Sequence, residues 1–262
     1  VTVTDTNNCP EATSSSFTII NPDLVVVDSI SSTDLLCHNN LNGTVSAYGS
    51  GGTGALTYTL NPVGTIQVGT GLFTGLDAGT YTVTIQDINN CSIESGSVTI
   101  VNPPGFTIQP PVSTDILCNG DNNGTITVVA TGGTGDITYT LNPPGTTQVN
   151  DGYFDGLSAG TYTVTVEDIN LCSQVTNSIT IINPDVISIL TEQSIDITCN
   201  GDGDGKVIIT AGGGTGDLTY TLWPDGTTSQ VNDGEFSGLS AGTYYVTVTD
   251  TNNCPEATSS SF

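Results

Sequence analysis

The chain has 262 residues, of which 26 are Asp or Glu and only one, Lys206, is basic, for a formal charge of −25. Binding to nucleic acid or to an anionic membrane needs basic patches that this composition does not contain. With 32 Gly, 12 Pro and no long helical apolar period, the chain reads as β structure, and a single His, His38, excludes Ser–His–Asp triads and multi-His metal centres.

Taken in order, residues 1–22 read as the C-terminal hairpin of a preceding repeat, ending at Asn21-Pro22. A first complete domain spans 23–103. LVVVDSISSTDLLC forms its first strand and ends at Cys37, a polar turn follows, and GTVSAYGSGG is the second strand. ALTYTLNP is the third, with Leu56, Tyr58 and Leu60 on one face. Weaker strands at TIQV and GLFTGL lead to GTYTVTIQDINNC, and SIESGSVTIVNP is predicted as one closing strand. Residues 104–184 repeat this plan, and 185–262 repeat it again with the last strand truncated.

The clearest element is GLSAGTYTVTVEDINLC at 156–172, which recurs at 75–91 and 238–254. Tyr162, Val164 and Val166 point to one face, and Thr161, Thr163 and Thr165 to the other. It reads as the penultimate strand of a small antiparallel sandwich, and its Tyr resembles the tyrosine corner of immunoglobulin-like domains. The Asp that ends it (Asp5, Asp87, Asp168, Asp250) is expected to bond its own turn backbone.

Two cysteine series fix the period. One falls at 9, 91, 172 and 254 and the other at 37, 118 and 199, spaced by about 81 residues. Residues 1–17 are identical to 246–262. This predicts a segment of a longer array in which a block of three units recurs. The linkers IINPD and IVNPPG are short and contain Pro, which makes stiff joints. Regularly placed Cys in such a chain suggests an oxidising, extracellular compartment.

The order C-N-G-D-x-x-G, G-G-T-G-x-x-x-Y-T-L, then G-L-x-A-G-T-Y-x-V-T-V-x-D-x-x-x-C resembles the SprB-type repeat of very large cell-surface adhesins of gliding and other Bacteroidota. The family's usual Pro-Tyr after the Gly-Gly turn is absent here. The resemblance covers all three units and implies a tandem array of immunoglobulin-like or fibronectin-III-like antiparallel β-sandwich domains. It further implies a structural extracellular fibre or adhesin stalk without enzymatic activity. The expected partners are neighbouring repeats of the same chain, with other fibres or surface glycans beyond them. No nucleic acid and no membrane insertion within these residues are expected. The alternative is a repeat array that binds glycan, ice or calcium at the cell surface.

No cofactor is required by this reading, and calcium is the one ligand the residues suggest. The turns after Cys118 and Cys199 carry Asn119, Asp121, Asn123 and Asn200, Asp202, Asp204, the alternating oxygens of the first half of a calcium loop. Both lack the distal bidentate Glu, and the same residues are ordinary β-turn formers, the preferred reading. Trp223, which replaces Asn61 and Asn142 of the other units, is not a repeated platform. Candidate glycosylation sites are Ser29 in Asp-Ser-Ile and the sequons at Asn42 and Asn123.

The disulfide pattern has two readings. Each domain closes its own bridge (Cys37–Cys91, Cys118–Cys172, Cys199–Cys254), or bridges join successive domains. In an immunoglobulin-like or fibronectin-like sandwich, the turn after the first strand lies at the downstream end. The turn before the last strand lies at the upstream end, a strand length of about 25 Å away, whereas a disulfide needs Cα atoms within about 7 Å. Between-domain bridges, Cys37–Cys172 and Cys118–Cys254, are therefore favoured, leaving Cys9, Cys91 and Cys199 unpaired within these residues.

Overall fold

The computed structural model describes residues 1–262 and contains only β-strands, turns and bends. It divides into two compact units, Val1–Pro104 and Gly105–Phe262.

In the first unit, β1 (Thr2–Val3) and β2 (Ala12–Thr13) pair only with each other, and residues 1–24 are all exposed. The repeat proper is built from β3 (Val26–Thr33), β4 (Gly43–Ser50), β5 (Thr57–Asn61), β6 (Thr65–Val68), β7 (Gly71–Leu76), β8 (Gly79–Gln86), β9 (Ser92–Glu94) and β10 (Val98–Ile100). One sheet has the order β3-β4-β7. The other has β6-β5-β8, with β9 and β10 both on the far edge of β8, and every pairing is antiparallel. Alternation puts Tyr58 and Leu60 opposite Ile85 and Val83 across β5 and β8. With Val45, Phe73 and Ile100 they form one buried cluster between the sheets.

The second unit holds two further sandwiches. The first comprises β11 (Thr107–Ile108), β12 (Val112–Thr114), β13 (Gly124–Thr127), β14 (Ala130–Thr131), β15 (Thr138–Asn142), β16 (Thr146–Val149), β17 (Tyr153–Leu157), β18 (Gly160–Glu167), β19 (Ser173–Val175) and β20 (Ile179–Ile181). Its opening strand is split between β11 and β12 at Pro110-Pro111, which have no N–H to give the ladder. The second comprises β21 (Ser188–Ile195), β22 (Gly205–Gly212), β23 (Leu218–Trp223), β24 (Thr228–Val231), β25 (Glu235–Leu239), β26 (Tyr245–Asp250) and β27 (Ala257–Thr258). Each has its own core, centred on Ile126, Leu141 and Val166 in one and on Ile209, Leu222 and Val248 in the other. The chain is thus a tandem array of small immunoglobulin-like or fibronectin-III-like sandwiches.

The tyrosine corner is present in all three. Tyr81, Tyr162 and Tyr244 donate to the carbonyls of Asp77, Ser158 and Ser240, at 3.0, 2.9 and 3.1 Å. The closing strand differs from its expected form, being broken in the middle. Ser95 gives its N–H to the Val83 carbonyl, while its hydroxyl accepts from the Val83 N–H at 2.9 Å and donates to the Gly96 carbonyl. One residue thereby occupies both of Val83's backbone groups and turns the chain out of the ladder between β9 and β10. Thr176 and Ser259 hold Val164 and Val246 in the same way. A short hydroxyl side chain competing with the backbone for its own hydrogen bonds is the cause.

The two faces of the long strands predict opposite responses to truncation. Leu141→Ala, in the core, should cost about 2–5 kcal/mol in urea denaturation. Thr161→Ala, on the exposed face beside Tyr162, should stay within about 0.5 kcal/mol. Equal losses at both positions would contradict the assignment of faces.

Candidate functional site: the joint between successive repeats

At the end of β8, β18 and β26 sits a buried aspartate. Asp168 Oδ1 accepts from the N–H groups of Asn170 and Cys172 at 2.9 and 3.0 Å, and Oδ2 accepts from Thr134 N–H at 2.8 Å. Asp87 does the same with Asn89, Cys91 and Thr53, and Asp250 with Asn252, Cys254 and Thr215. One carboxylate therefore folds its own turn and ties that turn to the Gly-Gly-Thr-Gly loop. The loop approaches so closely that a Cβ on Gly133 would lie 3.2 Å from Asp168 Cβ, and Gly133 has φ of +67°. Glycine is needed there on both counts. The turn aims the following cysteine outward from the upstream end of its repeat.

At the other end of the first two complete repeats, the turn after the first strand grips the outgoing linker. Asp115 Oδ1 accepts from Ile182 N–H at 2.7 Å, Gly120 N–H donates to Asn183 Oδ1 at 3.0 Å, and Asn119 Nδ2 donates to the Pro184 carbonyl at 2.8 Å. In the first repeat, Asp34 holds Val101 at 2.7 Å, Asn39 N–H donates to Asn102 at 2.9 Å, and His38 Nδ1 lies 2.8 Å from the Pro103 carbonyl. Sequence reasoning treated this turn as a loop in isolation and missed the clamp. The signal available was the Asn-Pro that recurs at fixed distance downstream of each Cys.

Within the second unit these two ends meet. Cys118 and Cys254 form a disulfide, with S–S 2.06 Å and Cα atoms 5.4 Å apart. Cys118 packs against the core of the following repeat. The Leu117 carbonyl receives Thr215 Oγ1 and Asn252 Nδ2, each at 3.3 Å. Beside the bridge lies a cavity of about 150 Å³ lined by Asn119, Asp185, Val186, Ile187, Gly214, Cys254 and Pro255. Cys37 and Cys172 are disulfide-bonded as well. Cys9, Cys91 and Cys199 carry exposed free thiols, and the Asp5 carboxylate beside Cys9 holds that thiol above its usual range.

Four of the six candidate calcium ligands hold hydrogen-bond partners within the chain. Asn123 Oδ1 accepts from Leu117 N–H and its amide donates to Asp121, while Asn119 holds the linker. Asp204 takes both the N–H and the hydroxyl of Thr198. Asn200 and Asp202 are exposed. Nowhere in the structure do three or more Asp, Glu, His or Cys side chains converge in a group suited to a metal ion. Ser29 is exposed on β3, Asn42 is half-buried with its amide oxygen accepting from Leu36 N–H, and Asn123 is exposed but bonded as above. Trp223 stacks on Tyr245 at 6.0 Å, and its Nε1 donates to Thr247 Oγ1. Asn61 and Asn142 make the corresponding bonds to Thr84 and Thr165, so the indole substitutes for an amide and builds no new platform.

The hydrogen bonds to Asp87, from Thr53 first and then from Cys91 and Asn89, outweigh its burial and lower its pKa. For Asp250 burial is the largest single influence and acts upward, but Cys254, Thr215 and Asn252 together prevail and the net direction is down. A lowered native pKa stabilises the fold fully above the unfolded value of about 3.9 and is lost as pH falls through the native value. Melting curves taken into acid should therefore fall more steeply for the native chain than for Asp87→Asn or Asp250→Asn, both already weaker at neutral pH. Identical acid slopes would place the acid loss on other carboxylates.

Comparison with known proteins adds the following. Three tandem fibronectin domains of chicken CNTN1 align over 92% of this chain and 97% of theirs, at 9% identity and a TM-score of 0.32. A tetra-tandem repeat from the extending region of a large adhesion protein aligns over 91% of this chain and 74% of its own, at 15% identity and 0.26. The BSP domain of a biofilm-associated protein aligns over 88% and 66%, at 12% and 0.28. No curated protein matches the chain. The family model described as SprB repeat matches residues 111–146, which run from the residue before β12 through the Cys118 turn, the Gly-Gly-Thr-Gly loop and β15 to the first residue of β16. Residues 111–146 are thus similar to an SprB repeat.

Proposed function

We propose that this chain is a load-bearing part of an extracellular fibre or adhesin stalk at a cell surface, in which disulfides brace each joint between repeats. The observation that carries the reading is the Cys118–Cys254 bridge, which joins two sandwiches that have separate cores. A catalytic site would not need such bracing, and no catalytic role is proposed. The partners are the neighbouring repeats of the same chain. The SprB match supports a surface adhesin setting, and disulfides in so acidic a protein suit an oxidising exterior.

By repeat position we extend the pattern to Cys37 and Cys172, which precede Cys118 and Cys254 by one unit. The two bridges then overlap along the sequence between residues 118 and 172. Tension applied along such a chain then crosses each joint through sulfur, and between the two bridges it runs along residues 118–172. No helix is long and apolar enough to cross a membrane.

Single-molecule pulling tests this. With both bridges closed, the covalent path from Cys37 to Cys254 contains only residues 118–172, so under oxidising conditions residues 38–117 and 173–253 should release no length. After reduction of both bridges about 570 Å of additional contour should appear, at about 3.5 Å per residue. Full-length unfolding steps of the last sandwich in the oxidised chain would sink the braced-stalk reading.

A further inference from the structure

Along one edge of each sandwich the opening strand faces the broken closing strand, and the three repeats fill the gap between them differently. Ile30, Pro111 and Glu192 hold one repeat position, each seven residues before the cysteine that ends the opening segment. In the first repeat Ile30 plugs the gap and packs against the core. In the last, the Glu192 carboxylate plugs it, accepting from Ser260 N–H at 3.0 Å and from the Ser260 hydroxyl. In the middle repeat the proline ring is too short to cross. A cavity of about 300 Å³ opens there between Pro110-Pro111 and the break in the closing strand at Thr176.

The walls of this cavity carry donors that the chain leaves without acceptors. Asn177 corresponds to Ser260, because each follows the residue, Thr176 or Ser259, whose hydroxyl accepts from the neighbouring strand. Ser260 N–H is taken by Glu192, whereas Asn177 N–H has no acceptor in the chain. The hydroxyls of Ser95 and Ser259 donate to the carbonyls of Gly96 and Ser260. Thr176, only 9% exposed, accepts from Val164 N–H at 2.9 Å, and its own hydroxyl donates to no group of the chain. The side-chain amides of Gln109, Gln174 and Asn177 line the same cavity, and Ile108 and Val175 add apolar surface. No lining residue is charged, although the chain carries −25.

We propose that this cavity binds a uronic-acid unit of a surface glycan, whose carboxylate takes the place that Glu192 fills in the last repeat. The carboxylate accepts from Asn177 N–H and from the Thr176 hydroxyl, the same pair of donor types that Ser260 gives Glu192, in charge-assisted bonds. Ring hydroxyls both donate and accept, as do the amides of Gln109, Gln174 and Asn177. A neutral sugar lacks the anion that the two free donors call for, and an acidic side chain lacks the hydroxyls that satisfy three amides. The volume suits one sugar unit, at the lower end of the range for small-molecule sites. This site goes beyond the braced-stalk reading and does not depend on it, because it lies within one sandwich and away from the joint.

Titration of the full, disulfide-intact chain with glucuronate, read by amide proton–nitrogen NMR, tests the assignment. The backbone amide of Asn177 and the side-chain amides of Gln109 and Gln174 should shift together, with a Kd of about 1 mM. Glucose, without the carboxylate, and glutarate, without the hydroxyls, should each bind at least about tenfold more weakly. Gln174→Ala should weaken glucuronate binding by about fivefold to tenfold. Pro111→Glu and Pro111→Ile should each abolish the shifts, since they rebuild plugs that other repeats already use; the remaining spectrum reports that the sandwich is folded. No shift at about ten times the expected Kd, or shifts that persist in both Pro111 variants, would overturn the site. Glucose binding as tightly as glucuronate would overturn recognition of the carboxylate. Glutarate binding as tightly would overturn the sugar assignment in favour of an acidic peptide. None of these readouts involves force or the disulfides, so failure here is separate from failure of the pulling experiment.

Discussion

The arrangement of the joint depends on one hydrogen-bonding constraint, the buried carboxylate of Asp168 and its equivalents Asp87 and Asp250. A buried carboxylate without partners is costly. Here each has three backbone N–H donors, two from its own turn and one from a loop more than thirty residues earlier in the chain. The loop needs glycine at both positions, because a side chain on Gly132 would collide with the Gly105 carbonyl and one on Gly133 with Phe106 and Asp168. The bonds within the turn set the direction of the next cysteine. Strand end, glycine loop and disulfide position are therefore one structural decision.

The same chemistry operates at the opposite end of the first two complete repeats. Asp34 and Asp115 accept linker N–H groups, and Asn102 and Asn183 accept from the clamping turn. This gives the acidic composition a physical use. With one basic residue, ion pairing is limited to Lys206 with Glu235, and exposed pairs of that kind contribute little. Several of the aspartates instead satisfy backbone donors in turns and linkers, where secondary structure leaves them unpaired. The linker is consequently held by hydrogen bonds on both sides of its proline and is not a free tether.

Small sandwiches need this support. A unit of about 80 residues buries only roughly 60–65% of its unfolded surface, and its core is a single layer of side chains between two short sheets. A bridge that spans 136 residues restricts the unfolded chain across two units at once, which in the chain-entropy account contributes about 5 kcal/mol.

Much of this was legible in the residues. The alternation of Tyr162, Val164 and Val166 with threonines determined a two-faced strand, because side chains alternate along β structure. The cysteine spacing determined the period, and the Tyr after Ala-Gly-Thr determined the corner. Other features depended on contacts that sequence order does not reveal. The turns after Cys118 and Cys199 look like the first half of a calcium loop, yet Asn119 and Asn123 spend their polar atoms on Pro184, Leu117 and Asp121. The closing strand reads as continuous, but Ser95, Thr176 and Ser259 break it by bonding the neighbouring strand with their hydroxyls. Strand topology read from the residues favoured Cys254 over Cys172 as the partner of Cys118, and the tertiary structure decided it. Cys172 is nearer in sequence, but it belongs to the upstream end of the same sandwich, whereas stacking brings the turn of Cys254 onto the downstream end. Local pattern dictates strands and turns, because those depend on neighbours along the chain. A disulfide depends on which ends of separately folded bodies come together in space.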